Sequence, residues 1–318
     1  MASVASAEII TKEKKQLPFL IEVFSRLIKE KPLGTFGGAI VLVLFLVGIF
    51  ASWIAPYGYN EMTLAARLQA PSASYWLGTD NLGRDLLSRI IYGAQISMIV
   101  GLSVPAITTV GNLFLGVISA YFGGKTDLII QRFVDTVMCF PGLVIMLTVI
   151  AITGPGLTQL ILLLGILGAI GGGVRVMRSA VLGVMGNVYL EASKAVGCSN
   201  WRIMYKHILP NIMAIVVVGF SMGMGGAILA EATLSFLGFG IPPPAPSWGG
   251  MLSGPARRYM LQAPWMALWP GVALSLVVYG MNMFGDGIRD ILDPRLRGGL
   301  GRYGRKTKKV TQEAQKEN

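Results

Sequence analysis

Charge is scarce in this chain. Charged residues make up 14% of the 318, against roughly 25% in an ordinary soluble domain, while hydrophobic residues make up 53%. With a mean hydropathy of +0.62, this balance excludes a soluble globular enzyme. It also excludes a disordered chain, which needs low apolar content. Cysteine is nearly absent. Cys139 and Cys198 supply neither a disulfide framework nor a four-ligand zinc site. A single histidine, His207, leaves little room for imidazole triads or histidine-bound metals. The opening MASVASAEIITKEKKQ lacks the apolar stretch of a cleavable signal peptide, so this segment is expected to stay on the chain.

Long uncharged runs are plentiful. About 20 apolar residues cross a bilayer at 1.5 Å of rise per residue. Phe36 to Ala55 makes a first span. Ile90 to Gly124 holds a second near Ile96–Tyr121, with a flanking segment. The run from Thr136 to Val174 is interrupted by Gly154-Pro155-Gly156 and reads as two helices, 136–153 and 157–175, joined by a tight turn. Ile212 to Leu237 is a fifth span and Met266 to Gly285 a sixth. The chain reads as an all-α membrane protein with six transmembrane helices.

The net charge of +11 invites nucleic acid or anionic lipid as a partner, and its distribution decides. Of the 27 Lys and Arg, 22 fall on the side holding both termini, the 2–3 loop and the 4–5 loop, and five on the other. By the positive-inside rule both termini are cytoplasmic in a multi-pass protein of the cell (inner, cytoplasmic) membrane. The basic residues are then topology determinants beside membrane lipid, with no nucleic acid implied. The organisation follows: a cytoplasmic tail over 1–33, a first span within 34–56, an extracytoplasmic segment over 57–94, a core over 95–288 and a basic tail over 289–318. Trp53, Tyr57 and Tyr59 mark the outer end of the first span, and Trp265 and Trp269 that of the sixth. Asp80 to Gly93 reads as an amphipathic helix on the outer surface, with Asp80 as N-cap and Asp85 pairing Arg89. The other long outer segment, Gly238–Pro264, is kept from helix by Ile241-Pro-Pro-Pro-Ala-Pro246.

Catalytic signatures fail one by one. Gly124-Lys125-Thr126 ends like a phosphate-binding loop, but Ser119 stands at the first glycine position and a membrane helix precedes it. Gly223-Met-Gly225 is followed by Ile228 where a dinucleotide fingerprint needs glycine. No His-Glu-x-x-His and no Gly-x-Ser-x-Gly occurs. No enzymatic activity and no cofactor is expected of this chain. Gly168/Gly172 and Gly219/Gly223 suggest close helix contacts. Pro105 and Pro141 are expected to kink their spans. Asp135 and Asp286, at inner span ends, are expected to be solvated or paired. Glu231, an acid inside a span, is either a structural hydrogen-bond partner or a pathway contact.

Tyr189–Asn211 is the most informative inner stretch. Tyr189–Val196 favours helix, Gly197 breaks it, and Ser199 or Asn200 can cap a second helix, Trp201–Ile208, ending near Pro210. Asn211 can cap the fifth span. Trp201, Ile203, Met204 and Tyr205 carry more apolar surface than a solvated loop needs. Either they lie on lipid headgroups or they dock a partner protein.

Glu191-Ala192-Ser193-x3-Gly197, then nine residues and His207-Ile208-Leu209-Pro210, resembles the EAA motif of ABC importer permeases, with Ser193 and His207 departing from its Ala and Ile. Leu77-Gly-Thr-Asp-Asn-Leu-Gly-Arg-Asp85, Glu231-Ala-Thr-Leu-Ser-Phe-Leu-Gly238 with Pro246-Ser-Trp-Gly249, and Gly285–Arg297 resemble the C-type permease of dipeptide, oligopeptide and nickel importers. The resemblance extends from about residue 18 to 297 and implies a type I ABC importer permease fold with a cytoplasmic coupling helix between spans 4 and 5. It implies a second, B-type permease, two ATPase subunits and an extracytoplasmic solute-binding protein as partners. Glu191, Ala192, Ser193, Gly197, His207, Ile208, Leu209 and Pro210 would contact an ATPase subunit. His207 itself reads as an intrahelical or helix-end partner rather than a proton carrier. The solute would be a peptide, with nickel chelates or glutathione-like molecules behind. The outer loop near Pro242–Trp248 and the Asp80–Tyr92 helix are expected to receive the binding protein. The rival reading is a self-sufficient secondary transporter or channel centred on Glu231.

Overall fold

The computed structural model describes residues 19–292; the residues before and after, including most of the basic 289–318 tail, lie outside the described part. The described chain is helical with no strand, its one extended pairing an isolated bridge between Thr79 and Asp85. In order come α1 (Phe19–Glu30), α2 (Pro32–Ile49), α3 (Ala51–Ile54), a single 3-10 turn at Leu64–Ala66, and α4 (Leu86–Phe122). Then follow α5 (Gly124–Met138), α6 (Gly142–Thr153), α7 (Leu157–Ala169), α8 (Gly173–Met185), α9 (Val188–Ala195) and α10 (Asn200–Arg202). A π-helical stretch, Ile203–Ile208, leads into α11 (Leu209–Phe236), and α12 (Trp248–Met251), α13 (Gly254–Arg258) and α14 (Trp265–Leu292) complete the chain.

Four helices are long and apolar enough to cross a membrane singly, and the count reaches six when each of two bent pairs is one span. The pairs are α5 with α6, bent by 83°, and α7 with α8, bent by 43°. Twelve residues of α6 rise only about 18 Å, too little for ~30 Å of hydrocarbon. The third span is therefore not a straight 136–153 helix. Pro141 explains the break, since its ring cannot follow the preceding carbonyl ladder and it stands as N-cap of α6 with φ −58° and ψ 120°. The turn expected at Gly154–Gly156 is present, with Gly154 at φ +83°.

The 37 residues of α4 make the central post, about 55 Å long. Around it pack α2, α7, α8 and α11. Inside lipid the hydrophobic effect does not drive helices together, so close packing must. The α2–α14 contact shows how: a Cβ at Gly37 would sit 2.6 Å from the Gly280 carbonyl and 2.7 Å from the Phe284 nitrogen. Gly168 meets Thr108 of α4 as closely, and Gly223 packs on Pro105 of α4, where a Cβ would stand 3.3 Å away, whereas Gly219 meets only the Met177 side chain and faces a cavity.

The two ends of the bundle differ. One, the basic end, carries α9, α10 and Lys31, which pairs Asp290 at 2.5 Å. There Arg178 grips Asp127 in a two-pronged pair at 2.7 and 2.5 Å, and Arg175 pairs Asp135, tying α5 to α8. The other, the cap end, is built from residues 57–85 and 238–264. Asp80 is not a helix cap. Its Oδ1 accepts the Leu82 and Arg84 amides at 2.8 and 3.0 Å, and its Oδ2 accepts Arg84 Nε at 2.7 Å with Arg89 Nε at 3.8 Å. Asp85 takes the capping role, accepting the Ser88 amide at 2.8 Å, so α4 begins at Leu86 and runs straight into the span. Asp80, Arg84, Asp85, Ser88 and Arg89 are all buried. The segment is thus an internal knot, not an amphipathic helix lying outside. Trp265 also points inward, its Nε1 donating to the Thr79 carbonyl at 3.1 Å.

Candidate functional site

Residues 188–208 form a compact helix–turn–helix at the basic end. At the C-terminus of α9, Gly197 at φ +81° lets its own amide reach the Lys194 carbonyl at 2.9 Å and the Cys198 amide reach that of Ser193 at 3.1 Å. These two bonds are the paired closure of a Schellman turn, which needs a left-handed residue there. Ser199 caps the next turn, its Oγ accepting from the Arg202 amide at 3.4 Å. The second helix does not stop near Pro210. Ile203–Ile208 widens into a π-helical turn, relieving the clash between the proline ring and the carbonyl four residues back, and the chain continues as one rod into α11. Asn211 is no cap; its Nδ2 donates to the His207 carbonyl at 2.6 Å.

The element has two faces. Leu190, Ile203, Met204 and Ile208 are buried against Val117 and Ala120 of α4 and Val181 of α8. Tyr121 Oη and Asn200 Oδ1 lie 2.8 Å apart in a hydrogen bond, and Lys194 stands over the Tyr121 ring. Away from this core Val196 (83%), Trp201 (71%) and Tyr205 (76%) are exposed, as are Glu191 and Ala192. Large apolar side chains left bare on a short surface element offer area that a partner could cover.

The sequence-derived residues separate on this geometry. Glu191 and Ala192 are exposed, and Gly197 forms the turn between the two short helices. Ser193 turns its hydroxyl to the Tyr189 carbonyl at 2.8 Å, and Ile208 is fully buried. His207 is half-buried, and Leu209 and Pro210 begin the span, so these four serve as its root. Val188 and Val196 are exposed as well, which the helix phase reveals and composition does not. Glu231 is 1% exposed, and its Oε1 accepts from Ser235 Oγ at 2.6 Å with the Ser247 hydroxyl also beside it. It knits α11 to the cap loop.

Two cavities run along the bundle. One of about 440 Å³ is walled by Pro105, Gly168, Gly171, Gly223 and Gly226, and another of about 790 Å³ by Asn112, Met177, Ile215, Met222 and Arg289. They share Thr108, Thr109 and Gly219.

Residues 112–298 match the binding-protein-dependent transport system inner membrane component, and residues 19–71 match the N-terminal TM domain of oligopeptide transport permease C. The chain is 40% identical over 276 residues to a dipeptide transport system permease protein of Alkalihalophilus pseudofirmus, covering 87% of this chain and 90% of that one. It is 39% identical to a probable D,D-dipeptide transport system permease protein of Escherichia coli, covering 86% and 91%. It is 35% identical to a glutathione transport system permease protein of Pectobacterium atrosepticum, covering 93% and 97%. With its bent spans, its rooted helix–turn–helix and these relatives, the chain belongs to the inner membrane permease components of binding-protein-dependent ABC transport systems, as a C-type subunit.

Proposed function

We propose that this chain forms half of the membrane pathway of an ATP-driven importer for peptides or a similar small solute, and that residues 188–210 couple it to ATP hydrolysis in partner subunits. The 22 to 5 split of basic residues supports placing the basic end and both termini in the cytoplasm. A second, B-type permease completes the pathway, two ATPase subunits lie below, and an extracytoplasmic solute-binding protein delivers the solute to the cap end.

The bare Glu191–Trp201–Tyr205 face on a rigidly rooted element carries this reading. Trp201 and Tyr205 supply docking area, and Glu191 supplies a charge-assisted contact. A push on that face reaches the span directly, because α10, the π turn and α11 are one continuous rod. It also reaches α4 and α8 through Leu190, Ile203 and Met204. Motion of these helices would open the glycine-lined cavities first to one side and then to the other.

On the outer side, the burial of Asp80, Arg84, Asp85 and Arg89 narrows the surface offered to a binding protein. Exposed Leu64, Trp76 and Leu261 are better placed to receive it than the Asp80–Tyr92 segment.

A photo-crosslinking residue at Trp201 tests the coupling surface in native membranes. We expect it to capture an ATPase subunit, with a matched probe at exposed Leu276, in the middle of α14, capturing none. Labelling of lipid alone from Trp201 would contradict the docking role.

A further inference from the structure

A third cavity, of about 260 Å³, lies at the cap end among residues 80–89, the end of α11 and the 238–255 loop. Its exposed members are stiff, with Pro155, Pro242, Pro243 and Pro255 at the rim. Its inner wall is charged: Arg84 is 8% exposed and Arg89 7%. Arg84 Nε donates to Asp80 Oδ2 at 2.7 Å, but its two Nη groups make no hydrogen bond among the described residues. Arg89 directs Nη1 to the Tyr59 and Pro244 carbonyls at 2.9 and 3.5 Å and leaves Nη2 without a bond there. None of these three groups is sealed inside packed protein, and the cavity is the open space that both arginines border. The one carboxylate in the same wall is Asp80, whose oxygens already accept two amides and the Arg84 Nε. Asp85 and Glu231 lie outside the wall, held by Ser88 and Ser235.

A guanidinium presents its N–H groups as a fixed fork that matches a carboxylate, and such bonds are the strong ones. Here two forks converge on one small space with donors unused. We propose that this cavity binds a carboxylate, which Arg84 meets with its open Nη groups and Arg89 with Nη2. The carboxylate belongs to the imported solute or to an acidic side chain of the solute-binding protein. Both arrive at this end in the importer reading above, on which the source of the carboxylate rests and the site itself does not. A volume of about 260 Å³ admits a carboxylate and the few atoms that carry it, below the range of whole drug-sized ligands. Ile241 and Ala245 of the wall pack on the apolar cluster of Leu160, Leu164 and Leu234, and Leu164 also lines the 440 Å³ cavity. One apolar cluster thus joins the two spaces, which puts the carboxylate site at the cap-end approach to the glycine-lined cavity.

Asn81 lines the site, and its side chain makes no hydrogen bond among the described residues, so Asn81→Cys serves as a reporter. The full chain, with Cys139 and Cys198 replaced by Ser, is kept in membranes of its own host, opened so that reagents reach both faces. Anionic sulfonatoethyl and cationic trimethylammonioethyl methanethiosulfonate are compared, and labelling of this chain is read by mass spectrometry. We expect the anionic reagent to react about tenfold faster, Arg84→Gln to erase that preference, and Arg84→Lys to keep it. Acetate is expected to slow the anionic reagent and acetamide to leave it unchanged. Stronger protection by Ala-Ala than by solute-free binding protein assigns the carboxylate to the solute, and the reverse order assigns it to the partner's side chain. Equal rates for the two reagents, or no protection by acetate, would overturn the site, and these two readouts decide alone should Arg84→Gln fail to assemble. Co-purification of ATPase subunits from the same membranes checks the importer reading separately, so the two failures are told apart.

Discussion

Glu191→Lys is expected to abolish solute-stimulated ATP hydrolysis in the assembled transporter while leaving the chain folded and inserted. Glu191 lies exposed in the first turn of α9, so its replacement should change the stability of this chain by no more than about 0.5 kcal/mol. At a docked interface the same change removes a charge-assisted contact and adds repulsion, a loss of about 2–5 kcal/mol and so roughly 30-fold or more in coupling. Gly197→Val should act with it by another route. At φ +81° a β-branched side chain costs about 1–2 kcal/mol, enough to distort the Schellman turn that sets the two short helices against each other. The measurement is ATPase activity with and without solute-loaded binding protein, alongside a melting curve of the complex. Stimulated turnover near wild type in both variants would contradict the coupling role.

The second large effect is expected at the cap end. Asp80→Ala removes the carboxylate that holds two backbone amides and the Arg84 guanidinium, with Arg89 close by. Both arginines are buried, so the substitution leaves two cations with fewer partners, and breaking such a network costs about 3–5 kcal/mol. Arg89 keeps its Nη1 bonds to the Tyr59 and Pro244 carbonyls, at 2.9 and 3.5 Å, which limits the damage to the cap rather than the whole bundle. We expect a markedly lower melting temperature and increased proteolysis within residues 57–85. A shift equivalent to less than about 1 kcal/mol would show that the knot is a solvated surface pair instead.

Asp80 also shows where the sequence stopped being informative. Two acids five residues apart, Asp80 and Asp85, both precede the apolar periodicity of α4, and both are good N-cap residues. Which one caps depends on Gly83, whose φ of +75° turns the chain back between them, and on Thr63, whose carbonyl would lie 2.0 Å from a Cβ there. That contact spans 20 residues and leaves no local signal. Pro210 misled for a related reason. A proline after a helix reads as a stop, and only the π-helical stretch before it lets the rod continue. The glycine pairing of α2 with α14 was invisible because its halves lie about 250 residues apart.

The legible features are those with local causes. Uncharged runs of membrane length, the Gly154–Gly156 turn, the break at Gly197 and the cap at Ser199 all follow from residue chemistry within a few positions. The exposed face of α9 and α10 was legible in kind, as surplus apolar surface. Its membership required the helix phase, which separates bare Trp201 and Tyr205 from buried Ile203 and Met204.

In the proposed assembly this chain is one of two permease halves with ATPase subunits beneath it. Native mass spectrometry of the tagged chain, solubilised gently from its own host, tests this most directly. We expect co-purification of a second permease and two ATPase subunits. Recovery solely as a monomer or homo-oligomer in several mild detergents would contradict it.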